Sequence, residues 1–291
     1  MTIQSALISA IKKLRHKNLP SAHLDVEVLL SAVLNKQTGY LIAHQEKEIT
    51  AGQLKKFYSL ISRRQNGTPI PYLTNHQWFY GLDFYVDKRV MIPRPETELL
   101  VEEAIKYSRL MYHKLYAIKR QPVMIADIGT GSGCLAVTLA KYLTSAKIYA
   151  SDLSEKALAV AKINAKKHKV LKRIKFLQGD LLTPLGSSRA PARLSNFDII
   201  VANLPYLTAD EAANLPHEPK QALDGGKLGL EIMERLLKEA LNHLNTGGKI
   251  FLEISPVQTK AIEYMVEQQM PAKKVEFKKD LTGRDRLAVV W

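Results

Sequence analysis

From Val123 onward the chain alternates short apolar runs with stretches of helical periodicity, and few architectures accommodate that rhythm. The runs are VMIAD, KIYASD, IKFLQGD, FDIIVAN, GKIFLEI, KVEFKKD and RLAVVW. Strands buried on both faces read as nearly continuous apolar runs, and parallel neighbours need crossovers that are usually helices. The pattern therefore predicts an α/β fold, a largely parallel sheet with helices on both faces.

The residues before this region read differently. Ile3, Leu7, Ile8, Ile11 and Leu14 recur at helical spacing with basic residues opposite. NLP breaks the chain, and SAHLDVEVLLSAVL starts a second helix with Ser21 as its cap. TAGQLKKFYSLISRRQ is a further helix, ended by the turn chemistry of NGTPIP. Residues 1–75 thus form a small helical bundle with no catalytic cluster. In 76–100, WFYGLDFYV sets aromatics around a Gly-Leu-Asp turn, as a β-hairpin does, and VMIPRPETE links it to an amphipathic helix. Residues 101–291 make the α/β domain, with GSSRAPARLSN (186–196) as a flexible surface loop.

Composition narrows the classes. Among 291 residues 46% are apolar and 24% charged, as in ordinary globular proteins. The net charge of +14 suits an acidic partner or a well-solvated surface. Cys134 is the one cysteine, so no intrachain disulfide forms and a reducing compartment is expected. MTIQSALISAIKKLRHK lacks the apolar core of a signal peptide, and no run approaches the roughly 18 apolar residues of a membrane span. A soluble cytoplasmic protein is expected. His113, His168 and His243 lack paired metal-ligand spacing, so no metal is expected.

In ADIGTGSGCLAVTLA, Asp127 ends a strand and Gly129, Gly131 and Gly133 lead into a helix. Glycines there allow positive φ and close approach of a ligand to the helix N-terminus. Asp152 ends the next strand, where a carboxylate can accept from both hydroxyls of a ribose or can cap the following helix. Asp180 follows the third strand and can meet an adenine amine or shape a turn. After FDIIVA comes Asn203-Leu204-Pro205-Tyr206, hydrogen-bond acceptors beside a flat ring. That set suits a planar, amine-bearing group; the alternative is an Asx turn with a core tyrosine.

DIGTGSG, SDLS and NLPY together resemble the seven-strand S-adenosylmethionine-dependent methyltransferases. FYGLDFYVDKRVMIPRPETELLVE, HEPKQALDGGKLGLEI, LEISPVQ and DLTGRDR narrow the resemblance to the release factor glutamine methyltransferases, from about Leu24 to Trp291. The resemblance implies a seven-stranded, mostly parallel, Rossmann-like sheet and S-adenosylmethionine as cofactor. Gly129, Thr130, Gly131, Ser132 and Gly133 would contact its methionine half and sugar. Asp152 would hold the ribose, and Asp180 with Leu181 would border the adenine. Asn203 would face cofactor and substrate, and Arg94 and Thr97 would close over the site. The substrate would be the glutamine of the Gly-Gly-Gln loop in peptide chain release factors, bound by Asn203, Leu204, Pro205 and Tyr206, with the helical domain docking the factor.

Two positions depart from the family pattern: Leu204, where it has proline, and Ser255, where it has glycine. Other readings of the same motif are glutamine methylation of a large-subunit ribosomal protein, methylation of an adenine amine in nucleic acid, and a binding module without turnover. His217 is a loop histidine or lines the substrate channel. Cys134 packs beneath the glycine loop or is activated by its helix. The basic stretch 156–176 is a solvated face or meets an acidic protein or nucleic acid.

Overall fold

The computed structural model describes residues 1–15, 21–112, 121–186 and 196–291. They form two compact units, Met1–His76 and Gln77–Trp291. The helix break at 18–20, His113 and positions 187–195 of the expected surface loop lie outside the described residues.

In the first unit the helices Ile3–Arg15, Ala22–Leu34 and Ala51–Gln65 share one apolar core. The first helix buries Ile3, Ala6, Ala10 and Leu14. Ile8, expected on this stripe, is 61% exposed. At 3.6 residues per turn it lies roughly 140° round the helix from Ile3, and the two alanines fill the stripe instead. Ser21 stands at the start of the second helix without capping it. Its hydroxyl donates to Asp25 at 3.0 Å, and the same carboxylate oxygen accepts from Arg64 Nε at 2.8 Å. Asp25 is buried, and a buried carboxylate without partners is the greater cost.

In the second unit β1 (Gln77–Phe79) and β2 (Leu82–Phe84) form the expected hairpin. Its turn is Tyr80-Gly81, not Gly-Leu-Asp, because two residues at positive φ, here 49° and 70°, match the twist of the flanking strands. Leu82 and Asp83 belong to β2.

All seven apolar runs are strands: β3 (Val123–Ile128), β4 (Ala146–Asp152), β5 (Ile174–Gln178), β6 (Phe197–Ala202), β7 (Leu244–Glu253), β8 (Val275–Lys279) and β9 (Asp285–Val290). Among the described residues they form one sheet in the order β5-β4-β3-β6-β7-β9-β8. Pairings from β5 to β7 are parallel, and β9 runs antiparallel to both its neighbours. Alternation along β3 and β6 sends Val123, Ile125, Ile199 and Val201 into one apolar cluster and Ala126, Ile128, Ile200 and Ala202 into another. The chain winds from β3 to β5 in one direction and from β6 to β7 in the other. The carboxyl ends of β3 and β6 therefore meet at a switch point, where open α/β sheets bind ligands.

Candidate active site

Polar residues stand at five adjacent strand ends: Asp180 after β5, Asp152 on β4, the glycine loop after β3, Asn203 after β6 and Glu253 on β7. The glycines of the loop have φ of 72°, 55° and 80°. A β-carbon on Gly133 would stand 3.0 Å from Ala161 Cβ, so this glycine lets the helices Cys134–Tyr142 and Glu155–Lys167 approach. Gly129 and Gly131 line a cleft, together with Thr130 and Ser132.

Hydrogen bonds fix the loop. The N–H groups of Gly129 and Thr130 both donate to the Ser151 carbonyl at 2.9 Å. Thr130 Oγ1 donates to Asp127 Oδ2 at 2.6 Å. Burial pushes the Asp127 carboxyl up to about 7, against the hydrogen bonds from Thr130 and the Ala136 N–H, and its Oδ1 has no hydrogen-bond partner among the described residues. Asn164 carries the loop from behind: its Nδ2 donates to the carbonyls of Ser132 and Tyr85, and its Oδ1 accepts from the Tyr85 N–H. Lying among lysines in a helix, it gave no sequence signal.

Asp152 accepts from the Gly131 and Ser154 N–H groups, both at 2.8 Å. Burial raises its pKa, and these two bonds oppose the shift. Ser154, not Asp152, caps the next helix through Ala157 N–H. Asp152 thus lines the cleft with lone pairs still open on both oxygens. Asp180 pairs with Arg235, and Leu181, at φ 45°, accepts from Ser151 Oγ through its carbonyl. Of the expected site residues, all line the same cleft except Gly133, Arg94 and Tyr206. Arg94 is paired with Glu218, which also accepts from the Ile92 N–H at 2.9 Å, so it straps the IPRPETE segment to HEP.

The exit of β6 is held from three sides. Asn203 Nδ2 donates to Thr97 Oγ1 at 3.1 Å, which leaves its Oδ1 as an acceptor. Leu204 is buried in the core cluster. Tyr206 directs its hydroxyl to Glu253 Oε1 at 3.2 Å, and burial raises its pKa. The Tyr206 carbonyl accepts from Gln258 Nε2 at 3.1 Å, and the same amide reaches the Gly229 carbonyl at 3.0 Å. β-Carbons on Gly225 and Gly229 would come within 2.4 Å of the Pro205 carbonyl oxygen and 2.2 Å of that of Tyr206. The glycines of LDGGKLGL thus let backbone meet backbone. Glu253, Gln258 and these glycines lie in recognised blocks, yet sequence reasoning gave them no role. A carboxylate ending an apolar strand, as Asp127 and Asp152 lie on theirs, was the available signal for Glu253.

Ser255 has φ −77°, so a β-carbon is accommodated there without strain. Burial pushes the Cys134 thiol up to about 12, which leaves it no thiolate at neutral pH. His217 does not line the cleft. Part of the basic stretch serves the fold: Lys167 pairs with Asp83, and Arg173 donates to the carbonyls of Ala140, Leu143 and Ala146.

A model of the PrmC N-terminal domain matches residues 5–74, and a methyltransferase domain model matches residues 121–283. The release factor glutamine methyltransferase of Moorella thermoacetica is 38% identical, over 100% of this chain and 99% of its own. That of Clostridium acetobutylicum is 35% identical, over 99% and 98%. The chain belongs to the release factor glutamine methyltransferase family. Among solved structures, the N-terminal domain of human METTL16 superposes with a TM-score of 0.51 at 15% identity, covering 90% of this chain and 93% of that one, a likeness of fold. For a release factor glutamine methyltransferase, the glycine cradle, the open lone pairs of Asp152 and the apolar Leu181 wall fit the S-adenosylmethionine that the sequence resemblance implies. Among the described residues no helix is long and apolar enough to cross a membrane.

Proposed function

We propose that this protein transfers a methyl group from S-adenosylmethionine to the side-chain amide nitrogen of the Gly-Gly-Gln glutamine in peptide chain release factors. The observation that carries the reading is the Asn203 amide, which lines the glycine cleft and is anchored by its nitrogen on Thr97, leaving Oδ1 to accept. We read residues 1–75 as the unit that docks the factor body, 76–100 as the linker and 101–291 as the catalytic domain. The reaction belongs to the cytoplasm, and nucleic acid is not required for it.

In this reading Gly129, Thr130, Gly131 and Ser132 hold the methionine half and sugar, Asp152 the ribose, and Asp180 with Leu181 the adenine. When bound, the cofactor supplies an electrophilic methyl group on a sulfonium. The chain's own residues must then solve a problem of orientation, because an amide nitrogen delocalises its lone pair into its carbonyl and is a poor nucleophile. Asn203 Oδ1 and the Leu204 carbonyl each accept one N–H of the glutamine amide, and both bonds strengthen as positive charge develops on that nitrogen. Pro205 restrains Leu204 to an extended conformation and so fixes its carbonyl. Tyr206, outside the cleft lining and with its hydroxyl held on Glu253, is assigned in this reading to flank the amide once the substrate is bound. Placement of this kind contributes about 7–11 kcal/mol in favourable cases.

The test is incubation with a cognate release factor and cofactor carrying a heavy methyl group, followed by peptide mass spectrometry. Ribosomal proteins and adenine-containing nucleic acid run beside it. Label on the Gly-Gly-Gln glutamine, abolished by Asn203→Ala with cofactor binding retained, is the expected result. Label on a ribosomal protein or on adenine would replace the substrate, and cofactor binding without label would leave a binding module.

A further inference from the structure

S-adenosylmethionine ends in an amino acid, and the α-carboxylate there is the one negative charge on the molecule. Carried out of water, that group needs donors to replace its hydration. The cleft is lined by two carboxylates, Asp152 and Asp180, and, among the described residues, by a single cation, Arg89. The helix Cys134–Tyr142 also opens on the cleft, but its first turn already faces a carboxyl: Asp127 Oδ2 accepts from the Ala136 N–H at 3.0 Å.

Arg89 is held by its neighbours. Its Nε donates to Asp87 Oδ1 at 2.9 Å and Oδ2 at 3.0 Å, and its Nη2 to Oδ2 at 2.6 Å. Asp87 in turn accepts from the Tyr85 hydroxyl at 2.8 Å and the Arg89 N–H at 3.0 Å. Both backbone groups of Tyr85 are bonded to Asn164, whose Nδ2 also donates to the Ser132 carbonyl. The segment that carries Arg89 is therefore pinned to the end of the glycine loop, and Arg89 and Ser132 line one cleft.

A guanidinium offers two edges that match a carboxylate. Asp87 occupies the edge formed by Nε and Nη2. Nη1 has no hydrogen bond among the described residues and Nη2 keeps a second proton, so the other edge is open. The side chain is 31% exposed, sheltered yet reachable. We propose that Arg89 binds the α-carboxylate of S-adenosylmethionine through this open edge and makes the cleft selective for a cofactor that carries the carboxylate. The proposal rests on the cofactor reading above. Asp87 balances the charge of Arg89, so selectivity comes from two N–H groups aimed in advance and not from net charge.

The experiment is calorimetry on the full chain with S-adenosylhomocysteine, which keeps the carboxylate, and with its decarboxylated analogue. Wild-type binding of S-adenosylhomocysteine tests the underlying reading; without it that reading fails, and this proposal with it. Given that binding, the wild type holds the analogue at least about tenfold more weakly. Arg89→Met loses about tenfold or more for S-adenosylhomocysteine and less than about threefold for the analogue, so the two affinities converge. Arg89→Lys recovers only part of the difference, because an ammonium has no fork. A wild type that binds both ligands alike overturns the proposal without any variant having to fold. An Arg89→Met that loses affinity for neither ligand, or equally for both, overturns it too, and each of these results leaves the function standing.

Discussion

Leu204 Cδ2 stands 3.1 Å from the point that a β-carbon on Gly129 would occupy, so the reaction motif and the cofactor loop are packed directly on each other. Gly129 is also at φ 72°. Gly129→Ala meets both obstacles: about 1 kcal/mol or more of backbone strain and a displaced Leu204. Its S-adenosylmethionine affinity, by calorimetry, is expected to fall at least about tenfold, one decade per 1.4 kcal/mol. Leu204→Ala in the same chain should restore part of it, since the two sites share a contact.

Leu204→Ala alone empties a buried site. A loss of about 2–4 kcal/mol in stability is expected from urea unfolding, with a lower kcat because the neighbouring carbonyl is no longer held. Leu204 therefore anchors by packing where the family has a ring. A stability change under about 0.5 kcal/mol would contradict this.

The strand pattern was legible because burial on both faces leaves continuous apolar runs, and the glycine loop and Asp152 because strand ends in such sheets are where ligands bind. The hairpin turn was displaced by one residue because aromatic tyrosine gives no hint that it will take positive φ. Ile8 lies off the buried stripe because Ala6 and Ala10 line it, and alanines weigh little in a periodicity of large apolar side chains. Asn164, Gln258 and Glu218 were missed for a common reason. Each acts on backbone distant in sequence, and side chain-to-backbone bonds across 32 to 126 residues leave no local pattern.

Gln258 donates to two carbonyls in a buried position. Gln258→Leu leaves both without that donor and is expected to cost about 2–3 kcal/mol in denaturant unfolding. Because one carbonyl belongs to Tyr206, kcat should fall while the cofactor dissociation constant changes less than about threefold. An equal loss in both would place the residue with the cofactor loop instead.

Asn164→Ala removes three hydrogen bonds and strands the Tyr85 N–H and the Ser132 carbonyl. Stability should drop by about 2–4 kcal/mol and cofactor affinity with it, because Ser132 belongs to the cradle. Asn164→Asp should not rescue it, since a carboxylate cannot donate to the two carbonyls.

Asp127 and Glu253, both pushed up to about 7, also shape stability. A folded carboxyl that holds its proton more tightly than the unfolded one stabilises most below the unfolded pKa, and that contribution is lost as pH rises through the folded pKa. Unfolding midpoints in urea should therefore fall between about pH 4 and 7, by on the order of 3 kcal/mol per group at the upper limit. Asp127→Asn should flatten part of this slope. A wild-type slope of the opposite sign would contradict the burial of these charges.

Gln258 spans the Tyr206 and Gly229 carbonyls while Gly225 and Gly229 press against the motif's main chain. The tetrapeptide is thus not a portable module. Grafting Asn-Leu-Pro-Tyr onto the matching strand of another nucleotide-binding sheet would import the side chains but leave their carbonyls unaimed. An engineer seeking to move this chemistry, or to redirect it to a different planar amine, would have to transplant the motif, the stretch 225–229 and the Gln258 segment as one block, with the glycines that let them touch.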